Sequence, residues 1–165
     1  LRDVYKRQGV PRIVFSAAAT TDPGRASTIS TQAARLGGVA RITLGQHVAW
    51  RMGYHRFARS QKQHPALVQC STVLVHRDAN KDGKRLGDPI SKAYGINQHS
   101  TNPHYKDGPV GSHSAGCLVR KLWADHLQFL QMLAQDHRQR QNRKFVWGTT
   151  ILEGASILLS QNPAS

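Results

Sequence analysis

Acidic residues are scarce in this chain. Nine Asp and Glu stand against 23 Lys and Arg, for a formal net charge of +14. Such a field draws polyanions, with nucleic acid and an anionic cell-wall polymer as the two candidate classes. The basic residues are scattered from Arg2 to Lys144, so they also fit a plain solubilising surface. Their densest run, "DHRQRQNRK", ends an expected helix, where cations are favoured anyway. Cysteine is nearly absent. Two thiols build no disulfide framework, although a Cys70–Cys117 bridge is open to the sequence. Long apolar runs are missing too. None approaches the ~20 residues of a membrane span, and the short run in "RIVFSAAATT" gives way at once to TTDPG, unlike a signal sequence. There is no internal repeat, no low-complexity tract and no helix-turn-helix, RRM or zinc-finger spacing, which speaks against nucleic acid.

What is present suits one domain of 165 residues. Residues 1–9 read as a charged tail, disordered or adventitious, and 10–165 as a single domain. The chain starts on Leu1 rather than Met, as a chain lacking its N-terminal part does. "RIVFS", "ARITLGQHVAWRMGYH", "ALVQCSTVLVH" and "AYGINQH" read as strands, the second with Val48, Trp50, Met52 and Tyr54 on one face. Cys70 falls in the third and reads as a small core residue. "KFVWGTTILEG" reads as a closing strand. Between Leu118 and Gln135 the period changes. Trp123, Leu127, Leu130 and Ala134 form one helical stripe, flanked by Leu122, Phe129 and Leu133. The expected fold is mostly β, a sandwich or barrel with one main helix following Cys117.

The chemistry concentrates in "VGSHSAGCLVR", residues 110–120. A cysteine nucleophile needs a thiolate, a base and an oxyanion hole. Here Cys117 precedes the expected helix, whose N-terminus favours negative charge. Gly116 permits a tight turn that can aim backbone N–H groups at one spot. His99, His104 and His113 are within reach in sequence as imidazole donors. The same histidines and Cys117 could bind zinc, but H-x4-H-x8-H-x3-C lacks the paired ligand spacing of known zinc sites. A buried, inert thiol is the plain alternative.

His99, fourteen residues and then Ser114-Ala115-Gly116-Cys117 resemble the signature of L,D-transpeptidase (YkuD-like) catalytic domains. The nearest likeness is to a divergent, often phage-associated branch reading "GINIH…WSAGCQV". "TTDPG", "VHRDANKDGK" and "KFVWGTTILEG" are similar to that branch as well, so the resemblance runs from about Ile13 to Leu158. It implies an L,D-transpeptidase-like β fold and a cell-envelope location. The implied activity is acyl transfer or hydrolysis on peptidoglycan stem peptides, without a cofactor or metal. Cys117 would be the acylated nucleophile and His99 its base. The N–H groups of Gly116 and Cys117 would hold the oxyanion, and Ser114 would brace the loop. Asn97 and Arg120 would lie on the substrate side. Ala115 replaces the second His of the common motif, with His113 two places earlier as a partial substitute. Val119 stands where Arg is usual, one residue before Arg120. The competing class is a non-catalytic basic module that binds wall polymer or nucleic acid.

"Asp78-Ala-Asn80-Lys-Asp82-Gly83" matches the D-x-N-x-D-G opening of a calcium loop. Its twelfth position is Pro89, not Glu, and the flanks read as strands. A turn-rich hairpin loop is the simpler reading.

Overall fold

A computed structural model describes residues 2–7, 10–56, 63–105, 108 and 111–154. Strand β1 (Arg2–Arg7) pairs antiparallel with β2 (Val10–Ser16). The stretch expected as a charged tail thus has extended, paired backbone. Next come β3 (Ala19–Thr20), α1 (Arg25–Thr28), α2 (Thr31–Arg35) and β4 (Val39–Ile42). The long strand β5 (Gly45–Arg56) is followed by β6 (Gln63–Gln69), β7 (Val73–Asp78), β8 (Ile90–Ala93) and β9 (Gln98–Ser100). A short 3-10 turn (Gly111–His113) precedes β10 (Leu118–Arg120). Helices α3 (Trp123–Gln135) and α4 (His137–Gln141) lead into the closing strand β11 (Trp147–Ile151). The fold is mostly β, and α3 is its main helix.

A six-stranded sheet runs β11-β5-β6-β9-β10-β3, and a three-stranded sheet runs β4-β7-β8. The two share one core. Trp50, Leu67 and Leu118 meet Ile42, Val73 and Val75, and α3 adds Phe129, Leu130 and Leu133. The buried stripe of α3 is His126, Phe129, Leu130 and Leu133. It is rotated from the expected one, for Leu127 is 40% exposed and Ala134 also faces out. The "HVAWRMGYH" alternation places Trp50 fully inside, but Val48 and Tyr54 at its ends are exposed.

One segment is over-determined. Ile96 C=O accepts from Trp50 Nε1 at 2.7 Å, and Ile96 N–H donates to Gln69 Oε1 at 2.6 Å. Gln69 N–H in turn donates to Asn97 Oδ1 at 2.9 Å. Buried polar groups that are fully satisfied in this way fix one backbone path. That path carries residues 95–97, against which Cys117 lies. Trp50→Phe keeps an aromatic ring but orphans the Ile96 carbonyl. It should cost about 1–3 kcal/mol of stability, read as a lower midpoint in urea denaturation with an unchanged slope.

Candidate active site

Strands β9 and β10 pair in parallel, with Leu118 opposite Gln98, Val119 opposite His99 and Arg120 opposite Ser100. Side chains alternate across a sheet, so Cys117, Val119, Asn97 and His99 share one face. The antiparallel registers of β5 with β6 and of β6 with β9 add Arg51, Gly53 and His55, then His64, Ala66 and Val68. The opposite face carries Trp50, Leu67, Gln98 and Leu118 into the core.

Cys117 is a free thiol of intermediate exposure, as is Cys70. Its Sγ lies 3.6 Å from Gly95 C=O and also takes the main-chain N–H of Asn97. Burial raises its pKa, and the Asn97 N–H pulls the other way. No helix begins at the cysteine. Leu118–Arg120 is a strand buried on both faces and bonded to β9 and β3, and α3 starts only at Trp123. The expected aid of a helix N-terminus is therefore absent, and the backbone amide of Asn97, the residue before β9, stands in its place.

Ser114 is 1% exposed. Its hydroxyl donates to Cys117 C=O at 2.8 Å and accepts from Gly116 N–H at 3.1 Å. The Gly116 N–H, expected in an oxyanion hole, is thus already engaged. The Cys117 N–H remains the candidate of that pair. Gly116 has φ +149°, and a Cβ there would sit 2.9 Å from both Ala40 Cβ and Ala40 O. Glycine is required by conformation and by space. Gly24, in "TTDPG", docks the front of the loop through a 2.9 Å bond to Ser114 C=O.

His99 is 1% exposed. Its Nδ1 lies 2.7 Å from Ser100 C=O. A carbonyl only accepts, so Nδ1 carries the proton and a neutral ring keeps its lone pair on Nε2. That Nε2 is buried with no hydrogen-bond partner among the described residues. Thiol and imidazole share a face and are not hydrogen-bonded to each other.

His55 stacks on His99, with centroids 4.1 Å apart and planes 6° from parallel. Its Nδ1 meets Asn97 Nδ2 at 3.0 Å, so the amide donates and the imidazole accepts. His64 lies 5.4 Å from His99, and His126 lies 6.4 Å from His64. Burial, then the charge of His55, pushes His99 down to about 3, with His64 and His126 adding and the Ser100 bond opposing. His64 and His126 fall to about 4, and His55 is lowered too, all mainly through burial. His55, His64 and His126 escaped the sequence reading. His55 continues the Arg51–Gly53 alternation, but which strand it would face was not legible.

Two expected site residues lie elsewhere. Arg120 is 1% exposed, its guanidinium carbon 3.5 Å from the Phe129 ring centroid and its Nη1 3.5 Å from His126 Nδ1. On a strand a one-residue shift reverses the face, so Arg120 points away from Cys117 while Val119 occupies the cysteine's side. Exposed Arg51 is a cation that does lie on that side. His113 packs edge-on to Tyr105 at 5.9 Å, and His104 is exposed on its loop. Among the described residues, no three His, Cys, Asp or Glu side chains are arranged to hold a metal ion, and no helix is long and apolar enough to cross a membrane.

No family model, curated protein or solved structure matches this chain.

The depressed imidazoles make stability pH-dependent. Each binds its proton more weakly folded than unfolded, so the unfolded chain takes up protons first. Their contribution is complete above the ordinary value of 6.5 and is lost as pH falls toward about 4. Thermal midpoints measured from pH 8 to pH 4 should fall below pH 6.5, and His64→Gln should flatten the decline.

Proposed function

We propose that this protein is a cysteine acyltransferase or peptidase of the L,D-transpeptidase type, acting on peptidoglycan stem peptides and adopting that family's fold. The observation that carries the reading is the state of His99. A buried imidazole with Nδ1–H tied to Ser100 C=O and an unpartnered Nε2, on the face of Cys117, is arranged as a base. The motif resemblance supplies the substrate class and the envelope location.

In this mechanism His99 Nε2 takes the Cys117 thiol proton as Sγ attacks the carbonyl carbon of the stem-peptide bond. The oxyanion forms next to the Cys117 N–H. Collapse breaks the C–N bond, the His99 proton passes to the departing D-residue amine, and the acyl group remains as a thioester. An amine or water then attacks the thioester, His99 accepts its proton, and the thiol is restored. Burial raises the thiol pKa and lowers the imidazole pKa, so the resting pair is neutral and the base acts during attack. Arg51, exposed on this face, is the cation offered to a substrate carboxylate in place of Arg120.

A carbapenem-type β-lactam should acylate the protein once, seen as a single mass adduct that Cys117→Ala abolishes. Labelling at Cys70, or at neither thiol, would overturn the reading. Iodoacetamide should alkylate Cys117 with a rate that climbs through the alkaline range, without the plateau at pH 5–8 that a preformed thiolate–imidazolium pair gives. Arg51→Ala should raise KM for a stem peptide with a free carboxylate more than it lowers kcat.

A further inference from the structure

The D-x-N-x-D-G loop closes on itself. Asn80 Oδ1 accepts from Asp82 N–H, Asp82 Oδ1 accepts from Lys84 N–H, and Asp78 pairs with Arg41 at 3.5 Å. A second closed circuit lies beside the thiol, and it fixes protons. The ladder between β6 and β9 is a single pair, Leu67 with Gln98. Next to it the Asn97 side chain stands in for a strand partner, its Oδ1 accepting from Gln69 N–H at 2.9 Å. A main-chain N–H only donates, so the amide oxygen must face Gln69. Gln69 is itself held through its side chain. Its Nε2 donates to Ser71 C=O and Ala93 C=O, and its Oε1 accepts from Ile96 N–H. The Asn97 amide therefore cannot turn over without setting two donors against each other.

That orientation dictates the state of His55. Asn97 Nδ2 is left facing His55 Nδ1 at 3.0 Å. An NH2 group only donates, so Nδ1 must be the bare nitrogen and the ring proton sits on Nε2. An imidazolium carries a proton on both nitrogens. Protonated His55 would therefore set N–H against N–H across that 3.0 Å. The surroundings push the same way. His99 of β9 lies flat on the ring at 4.1 Å, His64 of β6 stands 5.3 Å off, and Arg51 shares its face of β5. Burial lowers the His55 pKa as well. Asn97, expected on the substrate side, thus has its oxygen and one side-chain N–H committed inside the protein.

We propose that Asn97 and His55 are positioning residues of the candidate site: the Asn97 amide, oriented by Gln69 N–H, holds His55 in its neutral Nε2–H form, so that His99 is the ring that accepts the Cys117 proton. The part given to His99 rests on the function proposed above; the state of His55 does not. A charged ring stacked on His99 would oppose the proton that must arrive at its Nε2. A neutral one leaves that nitrogen basic. In the attack step the proton moves from Cys117 Sγ to His99 Nε2, and His55 neither gives nor takes one. Asn97 serves both partners. Its side chain holds His55, and its main-chain N–H meets Cys117 Sγ.

The test is the ¹⁵N state of the His55 ring in the labelled full chain, assigned by loss of its signals in His55→Phe, together with the rate of carbapenem acylation. Wild type should show a neutral His55 with its proton on Nε2 from pH 8 down to pH 5. Asn97→Asp keeps the shape and the acceptor for Gln69 N–H, but it also offers His55 Nδ1 an acceptor. His55 should then be doubly protonated at pH 6. Acylation of that variant should fall about tenfold or more below wild type at pH 6 and return toward it at pH 8.5. Adding His55→Phe, which keeps a stacked ring but holds no proton, should remove the pH 6 deficit. A wild-type His55 that is cationic at pH 6, or neutral with its proton on Nδ1, would overturn the proposal whether or not the variants fold. So would an Asn97→Asp protein whose His55 stays neutral at pH 6, or whose deficit persists in the double variant. No acylation of any form, with the ring shifts as expected, would overturn the proposed function and the positioning role with it, and would confirm the neutral state of His55.

Discussion

Parallel pairing of β9 with β10 is the constraint on which the site depends. Parallel strands cannot be joined by a tight hairpin and need a long crossover; here it spans residues 101–117. The crossover ends in Ser114, Gly116 and Cys117, and the register sets Cys117 beside Asn97 and Val119 beside His99. Three contacts fix the end of the loop. Ser114 closes it on itself, Gly116 lets it pass against Ala40, and Gly24 holds its front. Beneath it, Trp50 and Gln69 fix the 95–97 backbone that offers Cys117 an N–H.

The electrostatics follow from the same packing. A chain of net charge +14 disfavours further positive charge. The stacked imidazoles of His55 and His99, with His64 and His126 close by, reinforce this locally, since protonating one penalises the next. The cluster therefore keeps His99 neutral, the state that the proposed base role requires. The same burial disfavours the thiolate of Cys117. An ion-pair cysteine site would need a carboxylate or helix N-terminus to hold the imidazolium or thiolate, and among the described residues neither stands at Cys117.

Legibility in the sequence divided along locality. The Ser114–Cys117 turn and the D-x-N-x-D-G loop are continuous stretches whose geometry is set by neighbours a few residues away, and both were readable. So were the mostly β character, the main helix and the closing strand. Arg120 was not. "LVRKLWADH" carries apolar residues that fit a helix as well as a buried strand, and only pairing with β9 and β3 settles it. Once Leu118–Arg120 is a strand, Arg120 turns inward to Phe129. The histidine cluster was hidden for the same reason: His55, His64 and His126 lie far from His99 in sequence, the first two brought to it by strand register and His126 by the packing of α3. The occupied Gly116 N–H depended on a hydroxyl orientation that no motif encodes.

The most direct test of this account is the protonation and tautomeric state of His99, read from imidazole ¹⁵N shifts of the labelled protein. The predicted result is a neutral ring protonated on Nδ1 from pH 8 down to pH 5, with Nε2 unprotonated, its resonances assigned by their loss in His99→Gln. An imidazolium at pH 6, or a neutral ring carrying its proton on Nε2, would contradict the role of His99 as the base for Cys117.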